Sequence, residues 1–235
     1  MAKRGISTGM TRGEKLLGIG LLAVYLFVLP LTADPMFDGI GKLFGTSLSE
    51  GMRNAAYHYI LFALTLLVFG GFMVRTTRVF LDHPGKVLGT AGIGMVAFYG
   101  CNEIVWRVLQ MVSLPRANLN DQAILAQISA APRSTILILV FLSPVVEEAL
   151  FRGYVFGNLR EWSRPAAYAA SSMLFALLHV WGFAVGNRDF AYLLLAVQYL
   201  VPGLVMAWCF ERSGSLWGSI LLHCGVNVLA VWQVV

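Results

Sequence analysis

Residues 134–158 read STILILVFLSPVVEEALFRGYVFGN. The stretch is apolar from end to end, except that Glu147, Glu148 and Arg152 stand inside it. About 20 apolar residues are what a helix needs to cross the hydrocarbon core of a bilayer. Six more such runs follow the same rule, at approximately 16–33, 55–74, 87–113, 165–186, 190–210 and 214–234. In lipid only helices and closed barrels satisfy their own backbone groups. The runs here are long and continuous rather than short and alternating, which selects helices. The expectation is an all-α fold: a polytopic transmembrane helix bundle of about seven spans.

Composition agrees. The 235 residues are 58% hydrophobic and 12% charged, with a mean hydropathy of +0.73. Soluble domains carry about 25% charged residues, so too little polar surface remains for a water-soluble globule, and the lipid bilayer is the expected solvent. The net charge of +5 does not point to nucleic acid, because the basic residues sit in the gaps between apolar runs and read as topology signals. Cys101, Cys209 and Cys224 each lie in an apolar run without Cys-x-x-Cys spacing. They read as packing residues rather than disulfides or thiolate ligands.

With a cytoplasmic N-terminus, the inner segments hold ten basic residues: Lys3, Arg4, Arg12, Lys15, Arg75, Arg78, Lys86, Arg160, Arg164 and Arg212. The outer segments hold five: Lys42, Arg53, Arg116, Arg133 and Arg188. That bias predicts an integral, multi-pass protein with its N-terminus inside. Leu31-Thr32-Ala33 is a poor small-x-small cleavage site, so the first run is expected to be a span rather than a cleaved signal peptide. Residues 34–54 and 114–133 are the longest connecting pieces, and the second, with Ala123, Ile124, Ile128 and Ala131, reads as a short interfacial helix. The chain divides into an N-terminal transmembrane region, 1–133, with three spans, and a C-terminal core, 134–235, with four. Gly85/Gly89 and Gly214/Gly218 form small-xxx-small pairs, expected at helix contacts.

Ionisable residues at membrane depth cost several kcal/mol each and mark function by default. They are Glu103, Arg107, Glu147, Glu148, Arg152, His179 and His223; His58 reads as interfacial and His83 as a loop residue beside Pro84, both without special role. Glu103 and Arg107, four apart, share a helix face and can neutralise each other; a role lining a substrate groove is the alternative. Glu148 and Arg152 have the same spacing. Glu147 is rotated about 100° from Glu148 and has no local cation, which suits a general base or acid. Pro144 just before it can kink the helix and admit water. Phe175 and His179 share one helix face, as do His223 and Asn227. Two carboxylates, two histidines and an asparagine on three helices are hard to explain as packing alone and point to one shared site.

The ordered set Glu147-Glu148-x-x-x-Arg152, Phe175-x-x-x-His179 and His223-x-x-x-Asn227 resembles the CPBP intramembrane proteases, the CAAX prenyl protease and bacteriocin-processing (ABI) family. The likeness covers 134–234; the first three spans carry no such signature. It implies a helical core around a water-filled conical cavity and hydrolysis of a peptide bond in a membrane-associated or lipidated substrate. Carried over by position, Glu147 would activate water, His179 would help hold it, and His223 and Asn227 would stabilise the oxyanion. Glu148 and Arg152 would keep the site in shape, with Phe175 packed beside His179. Two chemistries stay open. Glu147, His179 and His223 could supply three zinc ligands, as in a metalloendopeptidase, or Glu147 could act on water alone. The absence of His-Glu-x-x-His favours no obligatory metal.

Other classes fit less well. The five aspartates, Asp34, Asp38, Asp82, Asp121 and Asp189, fall outside the expected spans, which argues against an aspartyl dyad. No Gly-x-Ser-Gly is present for a rhomboid-type serine. A proton-coupled transporter would show internal repeats, and a non-catalytic scaffold or immunity factor would show decayed motifs; neither sign is found. Glu147 would lie about 20 Å below the inner end of its span at 1.5 Å per residue. An extended substrate tail entering from the cytoplasmic side is the expected partner.

Overall fold

A computed structural model of the chain describes residues 9–112 and 118–233. Among them all regular structure is helical. The helices are α1 (Arg12–Leu43), α2 (Glu50–Asp82), α3 (Pro84–Val112), α4 (Leu119–Ala130), α5 (Pro132–Arg160), α6 (Arg164–Gly186), α7 (Phe190–Ser213) and α8 (Leu216–Trp232).

Side-chain caps set most of the starts. Thr11 and Glu14 form a capping box at α1, and Ser49, Asn118, Ser163, Asp189 and Ser215 accept from first-turn amides of α2, α4, α6, α7 and α8. Each occupies an otherwise orphaned donor, typically worth about 1 kcal/mol. Between α7 and α8 the chain turns on Gly214 at φ 75°, a conformation that glycine adopts without the Cβ penalty.

The sequence predicts seven spans; among the described residues five helices, α1, α2, α5, α6 and α7, are long and apolar enough to cross a membrane. The 29-residue α3 is not among them, because Asn102, Glu103, Arg107 and its glycines dilute its apolar stretch. The α8 helix is strongly apolar but has only 17 residues. The first span runs well past its expected end at 33, through Pro35 to Leu43. Asp34 and Asp38 therefore lie inside α1, contrary to their expected place outside the spans. Asp38 pairs with Arg53 at 2.6 Å. The expected short helix in 114–133 is α4, while 113–117, Lys3, Arg4, Arg116 and Val234 lie outside the described residues.

Ion pairs and hydrogen bonds tie alternate helix ends together. Arg75 bonds Glu14, Lys15 reaches Glu161 at 3.3 Å, and Arg160 and Arg164 converge on Glu211 at 2.6 and 2.9 Å. Ser215 donates to the Thr76 carbonyl at 2.9 Å and Trp217 to Thr77 at 2.7 Å. The start of α1 thus shares one end of the bundle with the ends of α2, α5 and α7, as the alternating topology requires. At the other end Asn54 meets Gln127, and Asn118 meets Gln198 and Tyr199.

The central helix is α5. Its most apolar window is 61% buried, against 22% for α1 and for α2. Phe151, Phe156 and Leu150 are sealed into one core with Leu26, Phe69 and Phe72 from the N-terminal region and Leu216, Ile220 and Leu222 from α8. The expected glycine contact at Gly85 and Gly89 is not formed; both face open space. The close approach lies instead between α6 and α7, where a Cβ on Gly203 would stand 2.9 Å from Cα of Ser172.

Candidate active site

Two π-helical segments, Ile138–Leu142 and Ala149–Phe156, flank the turns of α5 that carry Glu147 and Glu148. The first has a readable cause. The Ser143 amide donates to the Ile138 carbonyl, five residues back, and so passes over Leu139. Pro144 has no N–H to take Leu139's carbonyl in its turn. That half-buried acceptor is left without a helical partner, and Asn227 Nδ2 donates to it at 2.7 Å. The sequence thus anchors Asn227 of α8 against α5 and leaves its second N–H and its carbonyl for other work.

Glu148 is the ion-paired carboxylate. Its Oε1 accepts from Arg152 Nη1 at 2.8 Å and lies 2.9 Å from Nδ1 of His223. Arg152 is fully buried; its other arm donates to the Gly203 carbonyl at 3.2 Å, and its guanidinium lies over the Phe175 ring at 4.4 Å. Phe175 also meets His179 at 4.7 Å and His223 at 6.0 Å between centroids. Its ring therefore packs beside His179, as expected, and spaces both histidines from Arg152.

Glu147 is buried but engaged differently. Its partner is a hydroxyl, that of Tyr25 in α1, at 3.4 Å from Oε1. His179, Tyr57 and His58 all lie within electrostatic reach of it. His179 gives Nδ1 to the Phe175 carbonyl at 2.9 Å and stacks on Tyr199 at 4.4 Å and 22°. With Nδ1 of both histidines committed, Nε2 is the nitrogen of each ring left for chemistry. Glu147, His179 and His223 are thus brought to one region, with Asn227 one helical turn beyond His223.

Tyr25, Tyr57, His58 and Tyr199 are the surroundings that sequence reading missed. No spacing rule shows which face of α1 or α2 meets α5. Glu103 and Arg107 do pair, at 2.7 Å, on the exposed side of α3. Instead of a wide cavity, the space beside His179 is a narrow cleft walled by Asn118, Asn120, Phe183 and Tyr192. A larger cavity of about 610 Å³ opens elsewhere, between α3, α6 and α7. Among the described residues no three His, Cys, Asp or Glu side chains are gathered closely enough to hold a metal ion.

Residues 129–229, which contain all of these motif positions, match the family of Rce1-like type II CAAX prenyl endopeptidases. Two curated proteins are similar. YxdF of Lactococcus lactis, a UPF0177 protein, is 32% identical over 91 residues, 39% of this chain and 45% of the relative. YdiL of Bacillus subtilis, named as a candidate membrane peptidase, is 32% identical over 117 residues, 49% of this chain and 43% of the relative. The aligned part is thus under half the length of each. No solved structure matches the chain. The matched segment and the five long apolar helices among the described residues together make this an integral, multi-pass membrane protein.

Proposed function

We propose that the chain is an intramembrane endopeptidase that hydrolyses a peptide bond in a membrane-associated substrate with water activated by Glu147. The observation that carries the reading is the division of labour between adjacent carboxylates. Glu148 is held by Arg152 and His223, while Glu147 makes no ion pair among the described residues and lies within electrostatic reach of His179. A buried carboxylate without an ion pair is placed to take a proton.

In this reading water sits between Glu147 and Nε2 of His179. Glu147 takes one water proton as the oxygen attacks the carbonyl carbon, and returns it to the leaving nitrogen as the tetrahedral intermediate collapses. The uncommitted N–H of Asn227 donates to the oxyanion. His223 can donate there from Nε2 when doubly protonated, with Glu148 accepting from Nδ1. Preorganised donors of this kind, in a site shielded from bulk water, supply much of the rate in acyl transfer. The depth of Glu147 on α5, 13 residues from Arg160, favours an extended tail as substrate, entering from the basic end of the bundle.

The test is cleavage of a panel of lipidated and unlipidated peptides by the purified protein, with and without a zinc chelator. Cleavage that persists in chelator supports water activation by Glu147. Cleavage lost in chelator and restored by zinc moves the histidines to a metal site. A protein that cleaves none of the panel, and whose Glu147→Gln variant behaves as wild type in cells, is a scaffold.

A further inference from the structure

We infer that Tyr25, in the first span, is a positioning residue for Glu147, so that the N-terminal region completes the site carried by the C-terminal segment. The inference rests on the reading of Glu147 given above. Tyr25 Oη donates to Glu147 Oε1 at 3.4 Å across 122 residues of chain, and the tyrosine is 7% exposed. The distance is long for an O–H donor, as catalytic contacts often are before substrate tightens them.

The local structure fixes where Tyr25 can be. Glu14, Gly18, Leu21 and Tyr25 fall on one face of α1, and all four are buried. Glu14 is anchored to Arg75. At Gly18 the helix lies so close to α5 that a Cβ would meet Tyr154 at 2.6 Å. The helix then passes into a π segment at Val24–Val28, and both Tyr25 and Leu26 are buried there. Such segments cluster at functional sites. Phenylalanine would fill the same space, so packing does not call for the hydroxyl. Among apolar neighbours, that hydroxyl finds its partner in Glu147, whose carboxylate it holds by one oxygen. The inferred role of that bond is to leave the other oxygen for the attacking water. Tyr57 and His58 of α2 also lie within electrostatic reach of Glu147, so the first two spans both bring polar groups near it.

The experiment compares wild type, Tyr25→Phe and Glu147→Gln, each intact in detergent micelles. Two readouts are used: kcat and KM on the peptide panel, and the rate at which dicyclohexylcarbodiimide modifies Glu147, followed by mass spectrometry. Removing a hydrogen bond to a charged group predicts a kcat lowered roughly tenfold to hundredfold in Tyr25→Phe, with KM and thermal midpoint unchanged. The carbodiimide reacts with the neutral acid, so loss of a donor to the carboxylate predicts several-fold faster labelling in Tyr25→Phe. Wild-type kcat together with wild-type labelling overturns the inference, and leaves the peptidase reading standing if Glu147→Gln is inactive. Equal cleavage by Glu147→Gln and wild type overturns the peptidase reading and this inference together. Labelling decides the placement of Tyr25 even for a panel that contains no substrate.

Discussion

Nδ1 of His223 lies 2.9 Å from Oε1 of Glu148, joining α8 to α5 across 75 residues of chain. The same oxygen accepts from Arg152, so one carboxylate fixes a histidine of the candidate site and neutralises a fully buried guanidinium. Glu148→Ala is expected to lose about 3–5 kcal/mol of stability, because it strands a buried cation. Glu147→Ala, which strands none, is expected to lose far less. Thermal unfolding of the two variants in one detergent checks the contrast.

Asn227→Ala removes two things at once. The Leu139 carbonyl, left free by Pro144, loses its donor, at a cost of about 1–3 kcal/mol. The oxyanion loses a donor as well, which predicts a kcat lower by about 10²–10³. Single-turnover rates measured well below the variant's own midpoint separate the second effect from the first.

Gly203→Ala acts at a distance from the reacting atoms. The new methyl would meet the Ser172 backbone at 2.9 Å, so α7 must move away from α6. Its carbonyl, which accepts from Arg152, would move with it. Overpacking of this kind costs about 1–3 kcal/mol. A lowered thermal midpoint with activity retained at low temperature is expected, and an unchanged midpoint would show that α6 and α7 can slide freely there.

The motif residues were legible because they break apolar runs, where each polar side chain must be justified. The four-residue spacing foretold both the Glu148–Arg152 and the Glu103–Arg107 pairs. What escaped depends on how helices face each other. Tyr25 and His58 look ordinary in an amphipathic reading, and nothing in their own spans points at Glu147. The first apolar run ends at about residue 33, yet α1 continues through Pro35. Two glycines four apart suggest contact, but at Gly85 and Gly89 there is only open space. The π segments of α5 were likewise invisible in advance, although Pro144 explains the first once Ser143 is seen bonding Ile138.

The central claim is that Glu147 handles the proton of the attacking water while Glu148 does not. The most direct measurement is the rate of peptide cleavage by Glu147→Gln relative to wild type, at matched thermal stability. General-base catalysis is worth about 10²–10⁴, so a loss of at least about a hundredfold is predicted. A Glu147→Gln protein that folds as wild type and cleaves within tenfold of its rate would contradict the account.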